Sequence, residues 1–143
     1  MGSEMCIRHS HQAAGSKNVF ELHGSVHRNY CQKCGKFFDV NYVVNAKGVP
    51  YCDECGGIIK PDVVLYEEGL DSQTINGAVR AISKADMLII GGTSLVVYPA
   101  AGMIDYFKGK YLAVLNRDAT SRDKQADLCI TDPIGEVLGR IRV

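Results

Sequence analysis

The sequence predicts an α/β protein made of two kinds of structure, a parallel sheet flanked by helices and a small module held together by cysteines. Apolar segments that alternate between strand and helix patterns fill the second half of the chain, and two Cys-x-x-Cys pairs lie in the first half. The chain has 143 residues and no formal net charge, with 46% hydrophobic and 22% charged residues. This composition is typical of a folded globular chain and not of a disordered one.

The composition also argues against several classes of protein. A neutral chain lacks the basic excess that nucleic-acid binders carry, so no nucleic-acid partner is expected. No apolar run reaches the roughly 18 residues of a membrane-spanning helix, and residues 1–5 contain no apolar core of a signal peptide. We therefore expect a cytoplasmic protein without a membrane partner.

Four cysteines have the spacing of metal ligands. Cys31 and Cys34 form one pair, Cys52 and Cys55 form the other, and 17 residues separate the pairs. This spacing lies inside the window of roughly 15–20 residues for zinc sites, whereas two unrelated redox or core pairs are the alternative. Because thiolates would occupy all four positions, we predict one structural Zn²⁺ with no position left for a catalytic water.

The other cysteines and the neighbouring glycines have different expected roles. Gly35 and Gly56 each follow a Cys-x-x-Cys pair, where a glycine can adopt a positive φ and close the turn. Cys6 and Cys129 are predicted to be incidental, and Cys129 is expected in the core because its neighbours are Leu128 and Ile130.

The segment between the cysteine pairs predicts a short strand that runs into a helical turn over residues 37–44, followed by a turn at residues 47–50. A module of about 30 residues buries little apolar surface, so the metal is expected to hold it together.

Four apolar segments of the second half predict strands, at residues 63–66, 87–90, 111–115 and 127–130. The second of these is entirely apolar and predicts a buried strand. Because helical segments alternate with the strands, the sheet is expected to be parallel.

Three segments predict helices. The first is capped by Asp71 or Ser72, and the second begins at Pro99 and stops at Gly109. A closing amphipathic helix carries apolar residues at four positions, Ile134, Val137, Leu138 and Ile141.

Ligands of parallel sheets bind beyond the carboxyl ends of the strands. Residues 66–68, residues 91–94 and Asn116 all fall at such predicted ends. The Gly-Gly-Thr-Ser sequence at 91–94 can offer N–H groups and hydroxyls to a phosphate, although a tight strand-to-helix turn would have the same sequence.

Four motifs, taken together and in order, resemble those of the sirtuins, the NAD-dependent protein deacylases. They are Glu21-Leu22-His23-Gly24-Ser25, the paired Cys-x-x-Cys module, Pro61-Asp62-Val63-Val64 and the run from Gly92-Thr93-Ser94-Leu95 to Ala100. The resemblance extends from about Ser10 to Val143. It implies a partial Rossmann-like parallel sheet and a small four-cysteine zinc-ribbon module.

The resemblance implies that His23 is the catalytic base of a lysine deacetylase or deacylase. In that reaction an acyl group passes from lysine to ADP-ribose with release of nicotinamide, and the histidine accepts a proton from a ribose hydroxyl. His11 is expected to be structural or to lie beside the cofactor, and His27 to lie on the surface.

The resemblance also implies binding residues for the co-substrate NAD and for an acyl-lysine peptide. The expected NAD-binding residues are Gly92, Thr93, Ser94, Asn116, Asp132 and Pro133. The peptide is expected to pair as an added strand with a segment that contains Val64, Tyr66 and Gly69. Many sirtuins have Phe-Gly-Glu where this chain has Tyr66-Glu67-Glu68, and the additional carboxylate predicts a preference for basic flanking residues.

The early motifs of the family have no counterpart in this chain. The Gly-Ala-Gly-Ile-Ser phosphate loop and the Pro-Asp-Phe-Arg element do not occur, and Cys6 and Arg8 stand where the family has the asparagine and aspartate that hold nicotinamide and its ribose. We therefore expect a truncated chain whose sheet lacks its first strands, with weak or no activity. The exposed sheet edge favours self-association into a homo-dimer.

The expected domains are an N-terminal segment with the catalytic-histidine motif (1–27), a zinc-binding module (28–60) and a partial Rossmann-like NAD-binding domain (61–143). Three hypotheses follow for the function. The first is the NAD-dependent deacylase, and the second is a non-catalytic sirtuin fragment that binds zinc and a nucleotide or peptide. The third, a zinc-ribbon interaction module fused to an unrelated nucleotide-binding half-domain, is disfavoured by the Leu-His-Gly and Gly-Thr-Ser-Leu motifs.

Overall fold

The structure is a computed structural model that describes residues 10–65 and 67–142 and divides the chain into two compact units. The first unit ends at Thr74 and the second begins at Ile75, and each contains one three-stranded sheet. The predictions for Cys6, Arg8 and Tyr66 lie outside the described residues. Among the described helices, none has both the length and the apolar character needed to span a bilayer.

The first unit is built on an antiparallel sheet in the order β2-β1-β3. Its elements are α1 (Ser10–Ala13), β1 (Gly24–Cys31), β2 (Phe37–Asp39), α2 (Val40–Val44) and β3 (Ile59–Val63). The predicted strand and helical turn between the cysteine pairs are confirmed as β2 and α2. Asp39 ends the strand and caps the helix, because its Oδ1 accepts a hydrogen bond from the N–H of Tyr42 at 2.8 Å.

The strand predicted at residues 63–66 is wrong in its position and in its sheet. The strand here is β3, which ends at Val63 and pairs antiparallel with β1. Pairing ends there because β1 begins at Gly24, the partner of Val63. Residues 67 and 68 of the predicted ligand-binding end (66–68) therefore do not belong to the parallel sheet.

A bulge interrupts the pairing of β1 with β3. Ser25 pairs with Asp62, and the next β1 residue in register is Asn29, which pairs with Pro61. Proline has no N–H to donate to a ladder, so Pro61 suits the irregular position. The intervening residues of β1, which include Arg28, have no register partner on β3.

The second unit contains the parallel sheet, in the order β4-β5-β6. Its strands are β4 (Met87–Gly91), β5 (Tyr111–Leu115) and β6 (Leu128–Ile130). Helix α3 (Ser72–Lys84) starts at the end of the first unit, two 3₁₀ helices follow at Ala100–Tyr106 and Asp123–Gln125, and α4 (Ile134–Gly139) closes the chain. The predicted parallel sheet is thus confirmed for three strands.

One face of this sheet is covered and part of the other is open. Ile90, Leu112 and Val114 form the buried core, and they pack against five partly buried residues, Leu88, Leu95, Ile104, Phe107 and Ala126. On the other face Met87, Ile89, Tyr111 and Leu128 are exposed. The prediction of a buried 87–90 strand is therefore wrong except at Ile90, because β4 is an edge strand with one open face.

Three further predictions are corrected. Cys129 is exposed, not in the core, because β6 is the other edge strand. The segment after Pro99 is a 3₁₀ helix that ends at Tyr106, and Phe107 is already extended. Helix α4 ends at Gly139, so Ile141 lies beyond it.

Of the two candidate caps of α3, Asp71 accepts hydrogen bonds from the N–H and Oγ1 of Thr74, each at 2.7 Å.

Candidate functional site

The four predicted zinc ligands converge in the first unit. All four Sγ atoms lie within 4.8 Å of one another. The Sγ atoms of Cys31 and Cys55 are 3.4 Å apart, and those of Cys34 and Cys52 are 3.7 Å apart. Sulfurs bound to one tetrahedral Zn²⁺ at about 2.3 Å would be separated by about 3.8 Å. The donor set and its spacing fit a structural zinc ion.

Each cysteine pair is shaped by a turn that ends at a glycine. The N–H of Gly35 donates to the carbonyl of Cys31 at 2.9 Å, and that of Gly56 donates to the carbonyl of Cys52 at 3.0 Å. Their φ values are 73° and 65°, in the left-handed region that favours glycine. The sequence prediction for both glycines is confirmed.

The turns also create an environment that favours a bound cation. The backbone N–H groups of Cys34 and Lys33 point at the Sγ of Cys31 and lower the pKa of this thiol to about 6. A hydrogen bond from the N–H of Lys36 would likewise lower the pKa of Cys34. Contacts with the other three thiols, together with burial, outweigh it and raise the pKa of Cys34 to about 12. The crowded thiols resist a second negative charge, which a divalent cation would neutralise.

An ion-pair cluster that the sequence analysis missed joins the two turns. The Nζ of Lys36 donates to Asp53 Oδ1 and to Glu54 Oε1, both at 2.8 Å. These hydrogen bonds raise the pKa of Lys36 above its usual value, and they lower that of Asp53. The signal was present in the sequence, because Lys36 follows the first pair by two residues, Asp53 and Glu54 lie inside the second pair, and a shared metal brings the two pairs together.

His23 is held in place by its backbone neighbours. Gly24 has a φ of 76°, and a Cβ at this position would lie 1.9 Å from the carbonyl oxygen of Asp62, so only glycine fits against β3. The carbonyl of His23 accepts a hydrogen bond from the N–H of Val64 at 3.1 Å. Its Nδ1 is buried without a hydrogen-bond partner among the described residues.

The predicted peptide-binding segment directly follows β3. Val64 contacts the backbone of His23, as described above, and Gly69 has open space around its Cα. The carboxylate of Glu68 accepts hydrogen bonds from the N–H of Leu65 at 2.8 Å and from the Nζ of Lys60 at 3.2 Å, which lower its pKa. The carboxylate of Glu68 therefore closes a local turn, whereas the side chain of Glu67 is exposed.

The predicted NAD-binding residues lie in the second unit, just beyond the carboxyl ends of its strands. Gly92, Thr93 and Ser94 follow β4, Asn116 follows β5, and Asp132 and Pro133 follow β6. The backbone of Gly92 has a φ of 62°, and its N–H donates to the carbonyl of Leu115 at 3.2 Å. These residues occupy the sheet edge where parallel sheets bind ligands, and their individual roles stay predictions.

The family model described as "Sir2 family" matches residues 6–99. The chain belongs to the Sir2 family.

Two bacterial proteins are among the curated relatives of this Sir2 chain. It is 65% identical over 129 residues to an NAD-dependent protein deacetylase of Clostridium acetobutylicum, covering 90% of this chain and 53% of the relative. It is 64% identical over 132 residues to the protein of the same name from Clostridium perfringens, with coverage of 92% and 54%. The chain thus spans about half the length of the curated relatives it matches.

Solved Sir2 structures also match this chain, and it again spans only part of each of them. The structure described as "Sir2-p53 peptide-NAD+" matches with a TM-score of 0.82 and 36% identity, covering 92% of this chain and 57% of that one. "Structure of Sir2Tm bound to a propionylated peptide" matches with a TM-score of 0.83 and 37% identity, covering 92% and 58%. The partial sirtuin fold with its four-cysteine module, expected from the sequence, is confirmed.

Proposed function

We propose that this Sir2-family chain carries the catalytic histidine, the zinc module and part of the NAD site of an NAD-dependent protein lysine deacylase. The observation that carries this proposal is the placement of His23, which Gly24 and Val64 fix beside the expected peptide-binding segment. The curated relatives named above are NAD-dependent protein deacetylases. In this function NAD supplies the ribose that accepts the acyl group, and it loses nicotinamide.

His23 acts as the base. Because its Nδ1 is buried, Nε2 is the nitrogen that accepts the proton of a ribose hydroxyl. The backbone contacts on both sides of His23 fix the main chain from which the imidazole projects, and orientation of a reacting group is worth orders of magnitude in rate.

The acyl-lysine peptide pairs with the segment after β3. The N–H groups of Val64 and Leu65 are already bonded to His23 and Glu68. Val64 therefore offers its carbonyl to the peptide, and Gly69 lets the peptide backbone approach closely. The exposed carboxylate of Glu67 favours peptides with basic flanking residues.

The NAD-binding residues supply backbone and polar groups at the sheet edge. Gly92, Thr93 and Ser94 bind phosphate, Asn116 binds the adenosine ribose, and Asp132 and Pro133 lie at the adenine edge. The side-chain amide of Asn116 already donates to the carbonyl of Asp118 at 2.9 Å, which orients its oxygen as the group available to a ribose hydroxyl.

A second candidate function, binding of zinc and of a nucleotide or peptide without turnover, is favoured by one observation. Cys6 and Arg8 stand in place of the asparagine and aspartate that the family uses to hold nicotinamide and its ribose. For this reason we expect the chain by itself to release nicotinamide slowly or not at all.

The test measures nicotinamide release from NAD and an acetyl-lysine peptide, with calorimetric titration of NAD in parallel. Release that His23→Ala abolishes, and that His27→Ala leaves unchanged, supports catalysis by this chain, because His27 is exposed. Heat of NAD binding without release supports the second function. If the titration shows no heat of NAD binding and the assay shows no nicotinamide release, the NAD site proposed for this chain is contradicted.

We also propose a cytoplasmic location, because paired Cys-x-x-Cys motifs that bind metal are typical of reducing compartments. A homo-dimer through the exposed β4 edge stays a prediction.

A further inference from the structure

Arg28 binds two carboxylates at once. Its Nη1 donates to Glu21 Oε2 at 2.5 Å, and its Nε donates to Asp62 Oδ2 at 2.8 Å. The side chain of Glu21 is only 8% exposed, so this carboxylate depends on Arg28 as its counter-ion. Burial by itself would lower the pKa of Arg28, but the hydrogen bonds to Glu21 and Asp62 raise it above the usual value.

These two carboxylates belong to the two backbone segments that hold His23. Glu21 lies two residues before His23, in the turn closed by the hydrogen bond from the N–H of Gly24 to its carbonyl at 3.0 Å. Asp62 lies in β3, two residues before Val64, whose N–H binds the carbonyl of His23. The guanidinium of Arg28 therefore connects the loop before His23 to strand β3, and Val64 directly follows that strand.

The bulge in β1 places Arg28 for this contact. Backbone groups of the bulge that lack a partner on β3 form hydrogen bonds with two buried polar side chains, Ser25 at 0% and Asn29 at 1% exposure. The Oγ of Ser25 accepts from the N–H of His27 at 3.2 Å, and the Nδ2 of Asn29 donates to the carbonyl of Val26 at 3.2 Å. Bulges are common beside active sites, where they re-aim a side chain.

The loop has no comparable side-chain contact of its own. Glu21 Oε1 and His23 Nδ1 are both buried and lack a hydrogen-bond partner among residues 10–65 and 67–142. With Arg28 removed, the Glu21 carboxylate would remain in the fold without a counter-ion, which favours an opened loop.

We propose that Arg28 is a positioning residue for His23, which acts by clamping Glu21 to Asp62 and thereby sets the orientation of the imidazole. The relevance of this clamp to catalysis rests on the proposed function, but the clamp itself is measurable without turnover.

The test compares the rate at which diethyl pyrocarbonate modifies His23 in the full chain and in Arg28→Ala, read by peptide mass spectrometry. The exposed His11 is the internal reference. Loss of a charge-assisted hydrogen bond to a buried carboxylate should raise the His23 rate about tenfold. Arg28→Lys keeps the charge but not the two-armed geometry, so its rate should be intermediate.

Arg122→Ala is the matched control. Arg122 forms a comparable ion pair with Asp105 at 2.6 Å, but in the second unit. Its loss should leave the His23 rate unchanged. A change in Arg122→Ala as large as that in Arg28→Ala would overturn the proposal, because the effect would then be general destabilisation.

Amide hydrogen exchange at Val64 separates positioning from simple strand stabilisation. Faster exchange at Val64 together with faster modification of His23 supports the proposal. Faster exchange with an unchanged His23 rate overturns it, because Arg28 would then stabilise only the sheet.

If Arg28→Ala loses its fold, Glu21→Gln and Asp62→Asn test the two arms separately, and an unchanged His23 rate in both overturns the proposal. Absence of nicotinamide release from the unmodified chain bears on the proposed function alone.

Discussion

The two units of this chain bury different kinds of side chain in their cores. The core of the first unit is formed by Cys31, Phe38, Cys52 and Ile59, of which two are metal-binding thiols, and its most buried side chains are the polar Ser25 and Asn29. The core of the second unit consists of apolar strand residues. The first unit therefore depends on a ligand and on satisfied hydrogen bonds, and the second depends on apolar area removed from water.

The difference also shows how each unit meets solvent. The antiparallel sheet of the first unit tolerates an exposed face, whereas parallel sheets are normally covered on both faces. Met87, Ile89 and Tyr111 remain exposed on one face of the parallel sheet. The stability of the second unit therefore depends mainly on the packing of the face that carries Ile90, Leu112 and Val114.

The largest expected effect tests the dependence of the first unit on metal. Cys34→Ser should lose the zinc and the amide protection of β1 and β3, because structural zinc contributes about 10–16 kcal/mol in zinc-finger peptides, as much as a typical domain's whole stability. Zinc analysis and site-resolved hydrogen exchange measure both. Cys129→Ser, an exposed cysteine outside the cluster, should keep one zinc per chain. Retained zinc and retained β1 protection in Cys34→Ser would break the comparison.

The second prediction addresses the apolar core. Leu112→Ala should destabilise the second unit by about 2–5 kcal/mol, because it removes a buried side chain from the covered face. Leu128→Ala, on the exposed face, should cost clearly less. Urea unfolding followed by exchange in β5, with zinc release recorded in the same titration, measures the effect. Zinc release that moves together with the unfolding of β5 would show that the two units unfold as one.

The smallest effect concerns α3, which begins in the first unit and continues into the second. Hydrogen bonds from the Oγ1 and the N–H of Thr74 lower the pKa of Asp71 below its usual value. The cap therefore stabilises the helix fully above about pH 4 and loses this effect as the pH falls through the lower folded pKa. Asp71→Asn still caps but does not titrate. Between about pH 5 and pH 3 the unsubstituted chain should lose a few degrees more in Tm than Asp71→Asn, and equal losses would refute the cap.

Much of the chemistry could be predicted from local sequence. The four cysteines, the two glycines that follow them and the positions of strands β4 and β5 were predicted correctly, because each depends on spacing or on an apolar run. Asn116 was placed correctly at a strand end for the same reason. Local patterns did not separate strand β3 from the adjoining apolar residues, nor reveal that Cys129 lies on an edge strand, because both outcomes depend on which strand is the neighbour.

The sequence by itself determined the metal ligands, the alternation of strands and helices, and the resemblance that singles out His23. Only the tertiary structure decided which groups meet across long stretches of chain. Arg28 reaches Asp62, which lies 34 positions further along the chain, and Lys36 reaches Asp53, which lies 17 positions further along. The physical reason is that spacing encodes contacts within one turn or one strand, whereas ion pairs and buried faces follow from how strands are ordered in a sheet.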